Sequence, residues 1–214
     1  MIRTGDLKIS VFEFIVMIIV LYNQIMYIPQ SSKYKSVVVE LSASLSFMIF
    51  CNGVLSCING TEFFGSYYIN YVFTVIYFIL NGLVPLLWFK YMYIFYDTSP
   101  KKSNSYITTI PYLLYLLLIF INCFTDLFFY IDSNNRYQRG DGFWLIVVLS
   151  VIYIIASVVV IVLAITRNRG FRSEGKHILS GMLLVALGII LQLYFWEDSF
   201  VLLTFLLFML IVFL

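Results

Sequence analysis

The chain has 214 residues, of which 62% are hydrophobic and only 11% are charged, and its mean hydropathy is +0.98. A soluble domain carries about 25% charged residues, so this composition excludes an ordinary water-soluble fold and predicts side chains that face lipid. The formal net charge of +2 gives no indication of a nucleic-acid partner.

Seven apolar runs follow one another along the chain, and a transmembrane helix needs roughly 20 such residues. The runs are too long to be the strands of a membrane barrel. Short polar joints separate them, and no linker marks a second domain. The sequence therefore predicts an all-α membrane protein, a bundle of seven transmembrane helices in a single domain over residues 1–214. The runs cover about 9–28, 36–58, 67–96, 106–130, 142–166, 177–195 and 199–214.

Basic residues are distributed unevenly among the joints, and lysine and arginine are enriched in cytoplasmic loops. Four of the 13 lie on one side of the predicted bundle, which leaves nine on the other side. This distribution predicts that the N-terminus is outside and that the C-terminus is cytoplasmic. The four residues on the outer side are Arg3, Lys8, Arg136 and Arg139.

The joint FFYIDSNNRYQRGDG, residues 128–142, holds the densest group of polar residues. Its central Ser133-Asn134-Asn135 is flanked by aromatic and aliphatic residues, and asparagine tolerates the left-handed conformations of tight hairpins. The pattern predicts a short extracellular β-hairpin between helices 4 and 5, with Asp132 and Arg136 paired across the turn. An irregular solvated loop is the alternative interpretation.

Polar side chains inside the runs recur at helical spacing, as Asn70, Thr74, Tyr77 and Asn81 do in the third run. Polar groups in a bilayer normally face the bundle interior or a cavity. We expect an outward-opening pocket for a small extracellular or membrane ligand; the alternative is that these groups only join helices by hydrogen bonds. The expected lining is Asn52, Asn70, Thr74, Asn122, Asp126 and Gln192, with Arg136 and Arg139 in a hairpin lid and Trp144, Trp196, Glu197 and Asp198 at the rim.

Asp126 is the member of this set that most favours a functional role, because a lone carboxyl in an apolar run needs a partner or a proton. Arg136 and Arg139 follow it closely in the sequence and are the expected partners. Trp144 and Trp196 also fit the alternative role of interfacial anchors.

No catalytic constellation emerges from the sequence. His177 is the only histidine, and no cysteine or acidic cluster accompanies it, so a zinc site is not expected. Neither a Walker A sequence nor a glycine-rich dinucleotide turn is present. The sequence therefore predicts no catalytic residue, no metal and no cofactor, and we do not expect this chain to be an enzyme.

Two stretches, residues 124–163 and 181–214, resemble the multi-span N-terminal sensor region of bacterial membrane-bound diguanylate cyclases and the seven-helix N-terminal region of some histidine kinases. The motif that carries the resemblance is aromatic-D-x-x-N-x-Y-x-R-G within residues 130–140. The resemblance implies a sensor domain in a bacterial plasma membrane that relays a signal to a catalytic output domain. It also implies a homodimer through the parent protein.

The chain holds no cyclase or kinase motif, and it stops inside the last apolar run, at Phe213-Leu214. We therefore expect a longer parent protein whose output domain follows residue 214. A small seven-helix transporter, a channel or an accessory membrane subunit is the alternative. Transporters often contain repeated halves, but runs one to three and five to seven share no pattern of proline, glycine or polar residues, which favours the sensor.

Overall fold

A computed structural model describes residues 4–29, 34–96, 108–167 and 172–194, together with positions 204 and 207. In this part of the chain, helices are joined by short turns and by one two-stranded antiparallel sheet. The helices are α1 Thr4–Tyr27, α2 Lys35–Ile58, α3 Ser66–Phe95, α4 Ile110–Thr125, α5 Phe143–Arg167 and α6 Arg172–Tyr194, and the strands are β1 Phe129–Ile131 and β2 Tyr137–Arg139.

Four helices are long and apolar enough to cross a membrane, namely α1 from Ser10 onward, α2, α3 and α5. The helix α4 and the Gly175–Leu191 part of α6 are shorter apolar helices. The predicted helical architecture is confirmed to this extent. The seventh predicted run, 199–214, lies outside the described residues apart from Thr204 and Leu207, which are both helical. The Thr204 side chain lies directly against Gly188 of α6, where a glycine is needed because any side chain would occupy the same space.

The helix α2 packs between α1 and α3, and α3 also packs against α4 and α5. The buried positions of α1 recur every three or four residues, which places them on one stripe of the helix. Polar contacts fix the register of this stripe on α2 at both ends. They are Asn52 Nδ2 to Ser10 Oγ at 3.3 Å and Ser42 Oγ to Gln24 Oε1 at 2.5 Å.

The helix α4 is shorter than the predicted run 106–130, because it ends at Thr125. Asp126 follows in the left-handed conformation, with φ of 53°, which breaks the helical path. The side chain of Asn122 then accepts hydrogen bonds from the backbone amides of Phe128 and Phe129. These contacts turn the chain into the hairpin before the apolar run has ended.

The helices α3 and α4 approach each other closely at Gly82. The ring of Tyr115 lies so near that a Cβ atom at Gly82 would be 2.6 Å from Tyr115 Cε1. The Tyr115 hydroxyl donates a hydrogen bond to the Phe78 carbonyl at 2.8 Å, which holds the ring in place. The absence of a side chain at Gly82 therefore permits this contact.

Replacing Gly82 with alanine should force this rigid ring away and lower the free energy of unfolding by about 2 kcal/mol, within the range that overpacking costs. Gly53→Ala is the matched control, because its Cβ would lie 3.4 Å from Ser10 Cβ, an ordinary contact. Unfolding in detergent, followed by circular dichroism, measures both variants. Equal stability of G82A and G53A would contradict the close packing of Tyr115.

Candidate functional site

The joint between α4 and α5, residues 128–142, forms the predicted β-hairpin. The alternative of an irregular loop is therefore wrong. Asn135 adopts the left-handed conformation expected of a turn asparagine, with φ of 56°, and its amide donates to the Asp132 carbonyl at 3.0 Å. The paired residues are Phe129 with Arg139, Tyr130 with Gln138, and Ile131 with Tyr137.

The carboxylate of Asp132 organises the turn. Its Oδ1 accepts the backbone amides of Asn134 and Arg136, each at 2.9 Å, and its Oδ2 accepts Gln138 Nε2 at 3.2 Å. The predicted pairing of Asp132 with Arg136 is thus made through the Arg136 backbone amide. This amide is the main cause that lowers the pKa of Asp132 below its ordinary value.

Asn135 fastens the hairpin to α3 and to the α2–α3 loop, residues 59–65. Its Nδ2 donates to the carbonyls of Ile58 and Thr61, at 3.1 and 2.8 Å. Its own carbonyl accepts the Gly60 amide at 2.7 Å and Asn70 Nδ2 at 2.9 Å, and its Oδ1 accepts Asn70 Nδ2 at 3.0 Å. One side chain and one peptide group thereby connect three segments that are distant in sequence.

A second contact joins the hairpin to the same loop, because the Tyr137 amide donates to Asn59 Oδ1 at 2.9 Å. On the α4 side, the fully buried Asn122 accepts the amides of Phe128 and Phe129 at 2.7 and 3.2 Å and donates to the Phe129 carbonyl at 2.9 Å. An amide side chain is suited to this role because it offers both a donor and an acceptor.

Phe128 and Phe129, here called the aromatic plug, are only 1% and 0% exposed. Phe129 stacks on Phe78 of α3 with ring centroids 4.5 Å apart and planes only 4° from parallel. The plug shares one buried cluster with Tyr115 of α4 and Ile146 of α5. The hairpin therefore fills the space between these three helices with its own side chains, whereas the sequence predicted a lid above an open pocket.

Arg139 lies at the base of the hairpin, with its guanidinium 4.6 Å from the centroid of the Phe143 ring, a cation–π geometry. It also forms a hydrogen bond with the side chain of Tyr137. Burial raises the pKa of the Tyr137 phenol, and the positive charge of Arg139 opposes that effect. A half-buried arginine thus contacts an aromatic ring where the hairpin meets α5.

The residues expected to line the pocket fall into several environments. Asn70 and Asn122 are both fully buried and hold the hairpin backbone, while Asn52 donates to Ser10. Thr74 is 2% exposed, and its Oγ1 has no hydrogen-bond partner among the residues that the structure describes. Asp126 is exposed at the end of α4 and does not lie inside the bundle as expected.

The residues predicted to form the lid and the rim also lie in different parts of the structure. Arg136 is exposed, and its side chain passes over Gly60. Trp144 is 58% exposed at the start of α5, the position that its alternative role as an interfacial anchor requires. The remaining rim and lining residues, which are the side chain of Gln192 together with Trp196, Glu197 and Asp198, lie outside the described residues.

The environments of two polar residues, Asn135 and Glu13, were not predicted from the sequence. Asn135 was expected only to form a turn, because nothing in its neighbourhood of the sequence points to contacts with α2 and α3. Glu13 was assigned to no site from the sequence, and it is 0% exposed. The signal for Glu13 was present in the spacing of Ser10, Glu13 and Met17, which puts the carboxyl on the buried stripe of α1.

No family model matches the chain, and neither a curated protein nor a solved structure matches it. These comparisons give no support to the expected resemblance to the sensor regions of cyclases and kinases.

Asn122→Ala should destabilise the protein, because it leaves buried backbone groups of Phe128 and Phe129 without partners. Each unsatisfied buried group costs about 1–3 kcal/mol, and we expect a total loss of at least about 2 kcal/mol in the free energy of unfolding. Asn134→Ala, a change of an exposed residue in the same hairpin, is the control. A loss no larger than that of N134A would show that Asn122 does not support the hairpin.

The lowered pKa of Asp132 predicts a pH dependence of the turn. Because the pKa is lower in the folded hairpin than in an unfolded chain, the stabilisation is complete above the unfolded-chain value and is lost as the pH falls through the folded value. The ¹³C resonance of the Asp132 carboxyl should titrate at a pH below that of an unstructured aspartate, and Gln138→Ala should raise the midpoint. A midpoint at the ordinary value would contradict the amide contacts.

Proposed function

We propose that this chain is the membrane-embedded sensor module of a bacterial signalling protein. It lies in the plasma membrane with the N-terminus and the hairpin outside, and its seventh apolar run leads to a cytoplasmic output domain. Four membrane-length apolar helices and the resemblance of residues 124–163 to sensor regions support this proposal. The observation that carries it is the docking of one hairpin on the α2–α3 loop, α3 and α4 at once.

A ligand can shift a conformational equilibrium only if it binds one conformation better than the other. The hairpin allows two such conformations, which differ in what occupies the space between α3, α4 and α5. In one, the aromatic plug occupies the space between α3, α4 and α5. In the other, a small extracellular or membrane molecule occupies that space and the plug is displaced. The aromatic rings around the space, including Phe78 and Tyr115, make a flat apolar or aromatic ligand the best match.

The helix α3 provides the path to the opposite end of the bundle. It runs without interruption for 30 residues, from Ser66 to Phe95, which corresponds to about 45 Å at 1.5 Å per residue. Asn70 and Phe78 contact the hairpin near its beginning, and Tyr91 and Met92 are buried in the core near its end. Displacement of the hairpin would therefore move a continuous helix that reaches both ends of the bundle, with Pro85 as the point where it can bend.

The other partners follow from the same proposal. The bilayer contacts the exposed apolar faces, such as those bearing Phe12, Phe124 and Leu183. The parent protein would act as a homodimer, as the resemblance implies, so that a change at the end of the seventh run alters how two output domains pair. The ligand would be a small molecule.

The test is a fusion of residues 1–214 to a cyclase output domain that reports on the packing of the helices. Asn135→Ala removes the side-chain bonds to Ile58, Thr61 and Asn70, and we expect it to change the basal product level at least threefold while membrane insertion stays normal. Asn134→Ala changes an exposed residue of the same hairpin and should leave the output unchanged.

An output of the N135A fusion equal to wild type, at equal membrane abundance, would refute the sensor mechanism. A change of the same size in N135A and N134A would also count against it, since the effect would then not depend on docking.

A small transporter is the second candidate, and a specific observation favours it. Ionisable residues buried in a bundle are typical of ion and proton pathways, and Glu13 of α1 is fully buried. Uptake of protons or solutes into proteoliposomes that contain the wild-type chain, lost in Glu13→Gln, would support transport. No flux above that of empty liposomes would leave the sensor as the proposal.

A further inference from the structure

The carboxyl group of Glu13 is enclosed by the bundle. The residue is 0% exposed, and neither of its oxygens has a hydrogen-bond partner among the residues that the structure describes. Its neighbours along the buried stripe of α1 are Ser10 and Met17, so the carboxyl faces the same way as the helix contacts with α2. A buried carboxyl without a hydrogen-bond partner is expected to bind a ligand.

Aromatic contacts establish which residues of α2 and α3 lie at the level of Glu13. Phe14 contacts Phe50 of α2, with ring centroids 6.0 Å apart, and Phe50 contacts Phe73 of α3 at 6.3 Å. These three rings mark one level across the three helices. The residues next to them in sequence are buried at that level, and they are Glu13, Cys51 and Thr74.

The electrostatic environment agrees with this placement. The Tyr77 side chain lies one turn after Thr74 on α3. It is close enough to Glu13, Cys51 and Arg139 to interact electrostatically with each of them. Glu13 of α1, Cys51 of α2 and Arg139 of the hairpin all act on Tyr77 of α3. These are the titratable and charged groups around Glu13 in the described part of the chain.

An ionised carboxylate in this position would bear a large desolvation cost, because a buried charge is tolerated only when it is paired. The neutral acid avoids that cost. Thr74 Oγ1 is buried at the same level, but neither it nor the Glu13 carboxyl has a hydrogen-bond partner among the described residues, so the two groups are not bonded to each other.

We infer that Glu13 is a proton-binding site on the face of α1 that packs against α2. In the packed bundle the carboxyl holds the proton. When α1 moves away from α2 and water reaches the group, the O–H bond breaks, the proton passes to a water molecule, and the carboxylate stays behind. The site works in the same way in a sensor or in a transporter, so it does not depend on the function proposed above.

Infrared spectroscopy of the full chain in liposomes tests the inference directly. At neutral pH the wild-type protein should show the C=O stretching band of a protonated carboxylic acid, and ¹³C-glutamate labelling should shift that band. Glu13→Gln should remove the band. Glu40→Gln is the matched control, because Glu40 is also a helical glutamate but is exposed, and it should leave the band in place.

The labelled wild type keeps the test decisive if E13Q folds poorly, because its band can be observed without any substitution. Absence of a protonated-acid band from the labelled wild type at neutral pH would overturn the inference. A carboxylate band that responds when Na⁺ replaces K⁺ would overturn it as well, since the site would then hold a metal cation.

Discussion

Backbone amide and carbonyl groups that lie among apolar side chains must find their hydrogen-bond partners within the protein. The hairpin between α4 and α5 meets this requirement with asparagine side chains. Asn122 serves the first strand, and Asn70 and Asn135 join the turn to α2 and α3. Phe129 can stack in the interior only because these amides satisfy the backbone around it. The position of the plug, and with it the packing of α3 on α4, follows from those contacts.

The hairpin and the Glu13 site meet on α3. Phe78 faces the hairpin and stacks on Phe129, while Tyr77, the preceding residue, lies within the electrostatic reach of Glu13 and Arg139. The rings of Tyr77 and Phe78 are also in edge contact, with centroids 6.0 Å apart. A movement of the hairpin would therefore displace Phe78 and Tyr77, and through Tyr77 it would change the environment of the Glu13 carboxyl. This proximity offers a physical route by which an external ligand and a bound proton would influence each other.

Much of the fold was predictable, since composition and run length are enough to predict membrane-length helices, and the turn asparagines predicted the hairpin. The roles of the polar residues were not predictable to the same degree. Helical spacing showed that Asn70 and Asn122 face inward, but spacing does not distinguish a cavity from a backbone segment. The partner of Asn70 is 65 residues away in the sequence. The spacing of Glu13 with Ser10 and Met17 puts the three on one stripe of α1, but spacing alone does not show that this stripe packs against α2.

Hydrogen exchange at the Gly60 amide tests the docked hairpin most directly. This amide belongs to the α2–α3 loop, and it donates to the Asn135 carbonyl of the hairpin at 2.7 Å. Docking predicts that Gly60 exchanges slowly in the wild-type protein and at least tenfold faster in Asn135→Ala, while amides in the middle of α3 keep their protection. Exchange of Gly60 at the rate of an unstructured loop in the wild type would contradict the docked hairpin and the account built on it.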